Sequence, residues 1–173
     1  GCVTIVDSIL RGRHEREQSV YRRLLIPNIP IPGAQSTGSG SHVHGMRTLM
    51  LFRHGKSDWT GDYTSDHDRP LAPRGREAAD RMGRFIAKVG AVPDVAATST
   101  ALRARETLDL AVRSGEWSCH LREGKDLYES SAETVLGGVR AEPEETGSLM
   151  LVGHEPTWSG VLSLLVGGGA FRF

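Results

Sequence analysis

Cysteine is almost missing from this sequence: Cys2 and Cys119 are the only two in 173 residues. They cannot form a disulfide framework or a cysteine metal site, so a reducing, cytoplasmic setting is the simplest expectation. Long apolar runs are missing too. Leu24 to Ile26 and Val161 to Val166 are the longest candidates, well short of the ~20 residues of a membrane span. No stretch of these residues reads as a signal peptide. Net charge is absent as well, with Lys+Arg and Asp+Glu both at 21. Neither a general nucleic-acid surface nor a membrane surface is expected, and an anionic substrate has to be held by local charge. No Walker-type loop and no Gly-x-Gly-x-x-Gly follows any strand candidate, so no nucleotide cofactor is implied.

What is present is an ordinary globular composition, 38% hydrophobic and 24% charged, at a length that suggests one domain. Residues 1–45 read apart from the rest. Ile9 to Leu25 has the pattern of a weak amphipathic helix, and Pro27, Pro30 and Pro32 then break regular structure. Gly33 to Gly45 reads as a flexible Gly/Ser linker. His42 and His44 lie in it without further ligands, so no metal is expected there. Met46 reads as a natural start. The expectation is a disordered or non-native extension over 1–45 and one domain over 46–173.

From Arg47 onward strand and helix signals alternate. Thr48 to Phe52, Val95 to Thr98, Trp117 to Arg122 and Leu149 to Val152 read as strands. Pro73 to Val89 and Ala101 to Arg113 read as helices with one apolar face. Ser130 to Glu133 has capping-box spacing and predicts a third helix. Pro156 suits the first turn of a fourth. Asp58, Asp62, Asp66 and Asp68 fit no calcium loop and read as a solvated segment. Ala170 to Phe173 looks like the start of another strand, at the end of the sequence. The pattern predicts a three-layer α/β/α domain: a mainly parallel sheet with helices on both faces, lacking its C-terminal strand.

In open α/β sheets ligands bind beyond the carboxyl ends of the strands. Arg53 and His54 follow the first strand, Ser99, Thr100 and Arg103 the second, and Gly153 and His154 the last. Two arginines and two histidines would converge there on a tetrahedral dianion. Arg53 and Arg103 can bind phosphoryl oxygens by charge-assisted bonds. Neutral His54 can attack phosphorus and carry the group covalently, and protonated His154 can donate to it. Gly55 lets the backbone turn and approach a ligand closely.

These motifs resemble the histidine phosphatase superfamily. Arg53-His54-Gly55 is similar to its Arg-His-Gly motif, Ser99 to Thr107 to its Ser-x-x-x-Arg-Ala-x-x-Thr block, and Gly153-His154 to its second-histidine motif. Within the superfamily, Arg53 to Trp59 and Asp68-Arg69-Pro70-Leu71 resemble the small SixA-type phosphohistidine phosphatases. The short segment between Arg103 and His154 agrees, because larger members insert a substrate cap there. The resemblance implies His54 as nucleophile, with Arg53, Arg103 and His154 as the phosphate pocket. Thr60 stands where the mutases of the superfamily carry asparagine, which weakens a mutase reading. Their glutamate acid is matched by Glu129 in Leu127-Tyr128-Glu129.

The expected function is a metal-independent, cofactor-free phosphatase acting on protein phosphohistidine as a monomer. A broad phosphomonoesterase on small phosphate esters is the alternative in the same class. A phosphate-binding module without turnover is the alternative from another class. A metal hydrolase is disfavoured, because Arg53 and Arg103 would repel a cation beside His54 and His154.

Overall fold

The computed structural model describes Cys2–Val6, Tyr21–Leu25 and residues 48–167. Six strands form one sheet: β1 (Cys2–Val6), β2 (Tyr21–Leu25), β3 (Thr48–Arg53), β4 (Val95–Ser99), β5 (His120–Gly124) and β6 (Ser148–Gly153). Their order is β2-β1-β3-β6-β4-β5. β1, β3, β6, β4 and β5 run parallel, and β2 pairs antiparallel with β1. Helices α1 (Pro73–Lys88), α2 (Leu102–Gly115), α3 (Ala132–Arg140) and α4 (Thr157–Leu165) complete the domain.

The apolar runs of β3 and β6 are continuous because both sheet faces are covered. Successive side chains point to opposite faces. Met50 and Phe52 of β3, with Met150 and Val152 of β6, join Met82 and Ile86 of α1 and Leu108 and Ala111 of α2. Leu49 and Leu51, with Leu149 and Leu151, join Val135 and Leu136 of α3 and Trp158 and Val161 of α4. The α/β class with helices on both faces is therefore as the sequence predicts.

The differences are local. β1 and β2 fall within the stretch expected to lie outside the domain, and Tyr21–Leu25 is a strand rather than the end of a helix. The β-branched run Val3 to Val6 favours an extended chain, and the edge of β3 offers it a ladder. The expected linker, its two histidines and the terminal strand at Ala170 lie outside the described residues. The third parallel strand starts at His120 rather than Trp117. Here α2 continues to Gly115, left-handed Glu116 ends it, and Trp117 is buried with its Nε1 donating to the Gly83 carbonyl at 3.0 Å. The cap of α3 is Ser131, not Ser130: Ser131 Oγ accepts from the Thr134 amide at 3.2 Å. Ser130 donates its hydroxyl to the Asp126 carbonyl instead. Among the described residues no helix is long and apolar enough to cross a membrane.

Candidate active site

Because β3, β6 and β4 are parallel neighbours, their carboxyl ends lie on one edge of the sheet. Arg53 pairs in register with Gly153, and the His54 amide extends that ladder to the Gly153 carbonyl at 3.0 Å. Gly153 leaves room for Trp158; a Cβ there would stand 2.6 Å from its ring. Trp158 in turn donates Nε1 to the Phe52 carbonyl at 3.1 Å. The two histidine-bearing strand ends are thus locked together, and the His54 and His154 ring centroids lie 5.0 Å apart.

His54 Nδ1 lies 2.7 Å from the Gly55 carbonyl oxygen. A carbonyl can only accept, so Nδ1 carries the proton and Nε2 presents its lone pair. Arg103 Nε donates to that Nε2 at 3.3 Å. Burial above all, then the charges of Arg103, Arg53 and Arg69, hold the His54 pKa down at about 4, although the Gly55 bond acts in the opposite direction. His54 is neutral at physiological pH, with the Nε2 lone pair available. The loop around it is braced from beneath: the Gly55 amide donates to Thr107 Oγ1 at 3.0 Å, and Gly75 lies so close that a Cβ on it would sit 2.1 Å from the Lys56 carbonyl.

His154 Nε2 lies 2.8 Å from Ser99 Oγ. Burial, followed by the neighbouring His54 and Arg103, lowers its pKa to about 3. His154 is therefore neutral, where the sequence reading invokes a protonated ring. The reason is burial first, and then the charges of His54 and Arg103, which outweigh the opposing charge of Asp66. Its buried Nδ1 has no partner among the described residues.

Arg103 is buried, with its side chain 6% exposed, and Asp66 holds it. Arg103 Nη1 donates to the Asp66 main-chain carbonyl at 2.6 Å, and Nη2 to Asp66 Oδ2 at 2.9 Å. Asp66 Oδ1 accepts from Arg69 Nε at 3.0 Å and Nη2 at 2.7 Å. Tyr128 OH donates to Asp66 Oδ2 at 3.3 Å, and its ring meets His154 edge-on at 5.6 Å. Arg69 also donates to buried Ser57 Oγ and lies 3.6 Å from the centroid of the Trp59 ring. The 54–72 loop is closed on itself by Asp58 N to Pro70 O and Ala72 N to Lys56 O, both 2.9 Å. Asp66 is solvent-exposed, as the reading of a solvated segment expects, but it also links two buried arginines, which that reading does not foresee. The available signal was its three-residue spacing to Arg69 in a tight turn, Asp66–Asp68.

The structure brings His54, Arg103 and His154 together, with Arg53 at the end of β3. Glu129 is not tied to that cluster by any side-chain contact among the described residues. Glu129 is exposed, in a left-handed conformation (φ 51°), and among the described residues no hydrogen bond or ion pair joins it to His54. Its neighbour Tyr128 is the residue that reaches the site. Among the described residues no group of three or more His, Cys, Asp or Glu could hold a metal ion.

Comparison with known proteins decides the family. Residues 49–167 match the histidine phosphatase superfamily, branch 1. The chain belongs to the histidine phosphatase superfamily. An uncharacterized protein of Mycobacterium leprae is 40% identical over 122 residues, 68% of this chain and 73% of its own length. A protein of Agrobacterium tumefaciens assigned as the phosphohistidine phosphatase SixA superposes with a TM-score of 0.64 at 31% identity, over 69% of this chain and 76% of that one. Its counterpart from Nakamurella multipartitia gives 0.58 at 32% identity, over 73% of each chain. The family and these SixA neighbours support phosphatase activity. In this histidine phosphatase, what the sequence pattern missed is the support around the arginines: Asp66, Arg69 and Tyr128.

Proposed function

We propose that this histidine phosphatase transfers a phosphoryl group through His54 and acts on protein phosphohistidine. The observation that carries the reading is the state of His54: neutral, protonated on Nδ1, with Nε2 turned to Arg103. In the first step Nε2 forms a bond to phosphorus as the bond to the leaving group breaks. Arg53 and Arg103 stabilise the charge on the equatorial oxygens. His154 donates an N–H bond to the same oxygens, and the incoming dianion favours its protonation. Water then attacks phosphorus, the bond to Nε2 breaks, and phosphate leaves with His54 restored.

SixA neighbours support the phosphohistidine substrate, as does the small stretch between α2 and β6, which holds β5, a single 3-10 turn at Lys125–Leu127, α3 and the loops that connect them. An imidazole leaving group needs less help from an acid than an alkoxide does. Glu129, exposed beside Tyr128, is assigned proton donation for alkoxide leaving groups only. A cavity of about 380 Å³ beside His54 favours a second reading, a phosphomonoesterase on small esters. In either reading the protein works in the cytoplasm as a monomer without metal or cofactor.

The test is phosphate release from a phosphohistidine-bearing phosphotransfer domain and from p-nitrophenyl phosphate, for wild type and His54→Ala. Release chiefly from the protein, lost in His54→Ala, is expected. Equal release from both supports the second reading. Phosphate binding without release from either would make the chain a binding module, and full activity in His54→Ala would end the covalent mechanism.

A further inference from the structure

The cavity beside His54 is not the cluster of Arg103 and His154. Its lining shares Arg53 and His54 with that cluster and then runs away from it, along the loop to Arg69 and across α1 to Arg74 and Arg81. Five of its lining residues are Arg or Lys, and none is Asp or Glu. One phosphoryl group does not account for so many cations.

Arg74, Ala78 and Arg81 fall at i, i+4 and i+7 on α1, so they share one helix face. Buried Ala78 leaves the space between the two arginines open. At 1.5 Å per residue their backbones stand ~10 Å apart along the axis, close enough for both guanidinium groups to meet on one anion. Of the acids nearby, Asp80 is engaged with Arg84, Glu106 with Arg76, and Asp66 with Arg69 and Arg103, while Glu77, the other acid of α1, does not line the cavity. Among the described residues no carboxylate pairs with Arg74 or Arg81. Arg53 belongs to the phosphoryl cluster and Arg69 is committed to Asp66, Ser57 and the Trp59 ring, so Arg74 and Arg81, with Lys56 on the loop opposite, are the donors left for a ligand.

We propose that this cavity is a second anion subsite: Arg74 and Arg81 take a further phosphate or carboxylate carried by the substrate whose phosphoryl group goes to His54. The proposal rests on the phosphatase reading and narrows its substrates to those with two anionic groups. Two sources share this chemistry: an acidic side chain flanking a phosphohistidine, and the second phosphate of a small bisphosphate.

Two substrate pairs test it, in wild type, an Arg74→Gln/Arg81→Gln double variant and an Arg74→Lys/Arg81→Lys double variant. One pair is a phosphohistidine peptide with acidic or with neutral flanks. The other is butane-1,4-diol bisphosphate against butyl phosphate. Wild type is expected to favour the second anion by about tenfold in kcat/KM, carried by KM, as suits charge-assisted bonds at an exposed site. The glutamine variant loses that preference and the lysine variant keeps most of it. Whichever pair shows the effect identifies the source. A preference that is absent in wild type, or equal in the glutamine variant, overturns the proposal. Calorimetric binding of butane-1,4-diol bisphosphate gives a second readout. If no substrate turns over, the phosphatase reading falls, and the subsite stands or falls on whether the glutamine variant binds about tenfold more weakly than wild type or equally well.

Discussion

Replacing Asp66 by asparagine should slow catalysis while leaving substrate affinity nearly intact. The side chain is nearly isosteric, so packing is preserved and the charge is what changes. Asp66 Oδ1 receives two donors from Arg69, and Oδ2 receives Arg103 Nη2 and Tyr128 OH. An amide keeps one acceptor oxygen and turns a donor toward the other partner, so one of the two arginines loses its anchor. Both arginine side chains are only 6% exposed, but the Asp66 side chain is 50% exposed. Water therefore discounts each ionic contact to roughly 0.5–1 kcal/mol, not the larger value of a buried charged bond. The Arg103 Nη1 bond to the Asp66 main-chain carbonyl survives the change. Losing one anchor and repelling its guanidinium comes to about 1–2 kcal/mol, which is about tenfold in rate if it is felt in the transition state. Steady-state kinetics on p-nitrophenyl phosphate should show kcat down by about tenfold with KM changed by less than about threefold. Wild-type kcat would refute the positioning role. A lower KM with unchanged kcat would refute it differently, by showing that the carboxylate merely competes with phosphate for Arg103.

Three further outcomes follow from the same structure. Gly75→Ala places a Cβ 2.1 Å from one main-chain atom of Lys56 and 2.8 Å from another. Thermal unfolding should show a loss of about 1–3 kcal/mol, whereas Gly137→Ala in α3, with nothing within 4 Å, should gain about 0.5–1 kcal/mol. Stability should also depend on pH through His54 and His154, whose folded pKa values of about 4 and about 3 lie below the ordinary 6.5. Between those values the unfolded chain binds more protons than the folded one, so stability is full above about pH 6.5 and falls as pH drops toward 4. Urea midpoints should be clearly lower at pH 5 than at pH 7.5, and equal midpoints would contradict the buried neutral histidines.

The sheet and its site were legible where the physics is local. Buried parallel strands leave unbroken apolar runs such as Leu49 to Phe52, and the residues just after them, His54 and His154, are placed by the chain itself. Arg103 sits in the first turn after β4 for the same reason. What the sequence hid depends on contacts between distant segments. Asp66 is one of four loop aspartates by composition, and only the fold sets it between Arg69 and Arg103. Tyr128 gains its role by crossing from the segment after β5 to Asp66, 62 residues away in the chain. Trp117 alternates like a strand residue with Cys119 and Leu121, yet it docks on Gly83 because α2 runs two residues further than its pattern shows. The strands at Cys2–Val6 and Tyr21–Leu25 were hidden by sequence distance from the sheet edge they complete.

The central claim is that His54 Nε2 becomes covalently phosphorylated. Mixing the protein with a phosphohistidine-bearing domain, quenching within the first turnover at alkaline pH, and mapping the modified peptide by mass spectrometry tests it directly. The account predicts one added phosphoryl group on His54, lost on acid treatment and absent in His54→Ala. Turnover by wild type with no phosphoryl group on His54 at any quench time, or with the group on His154 instead, would contradict it.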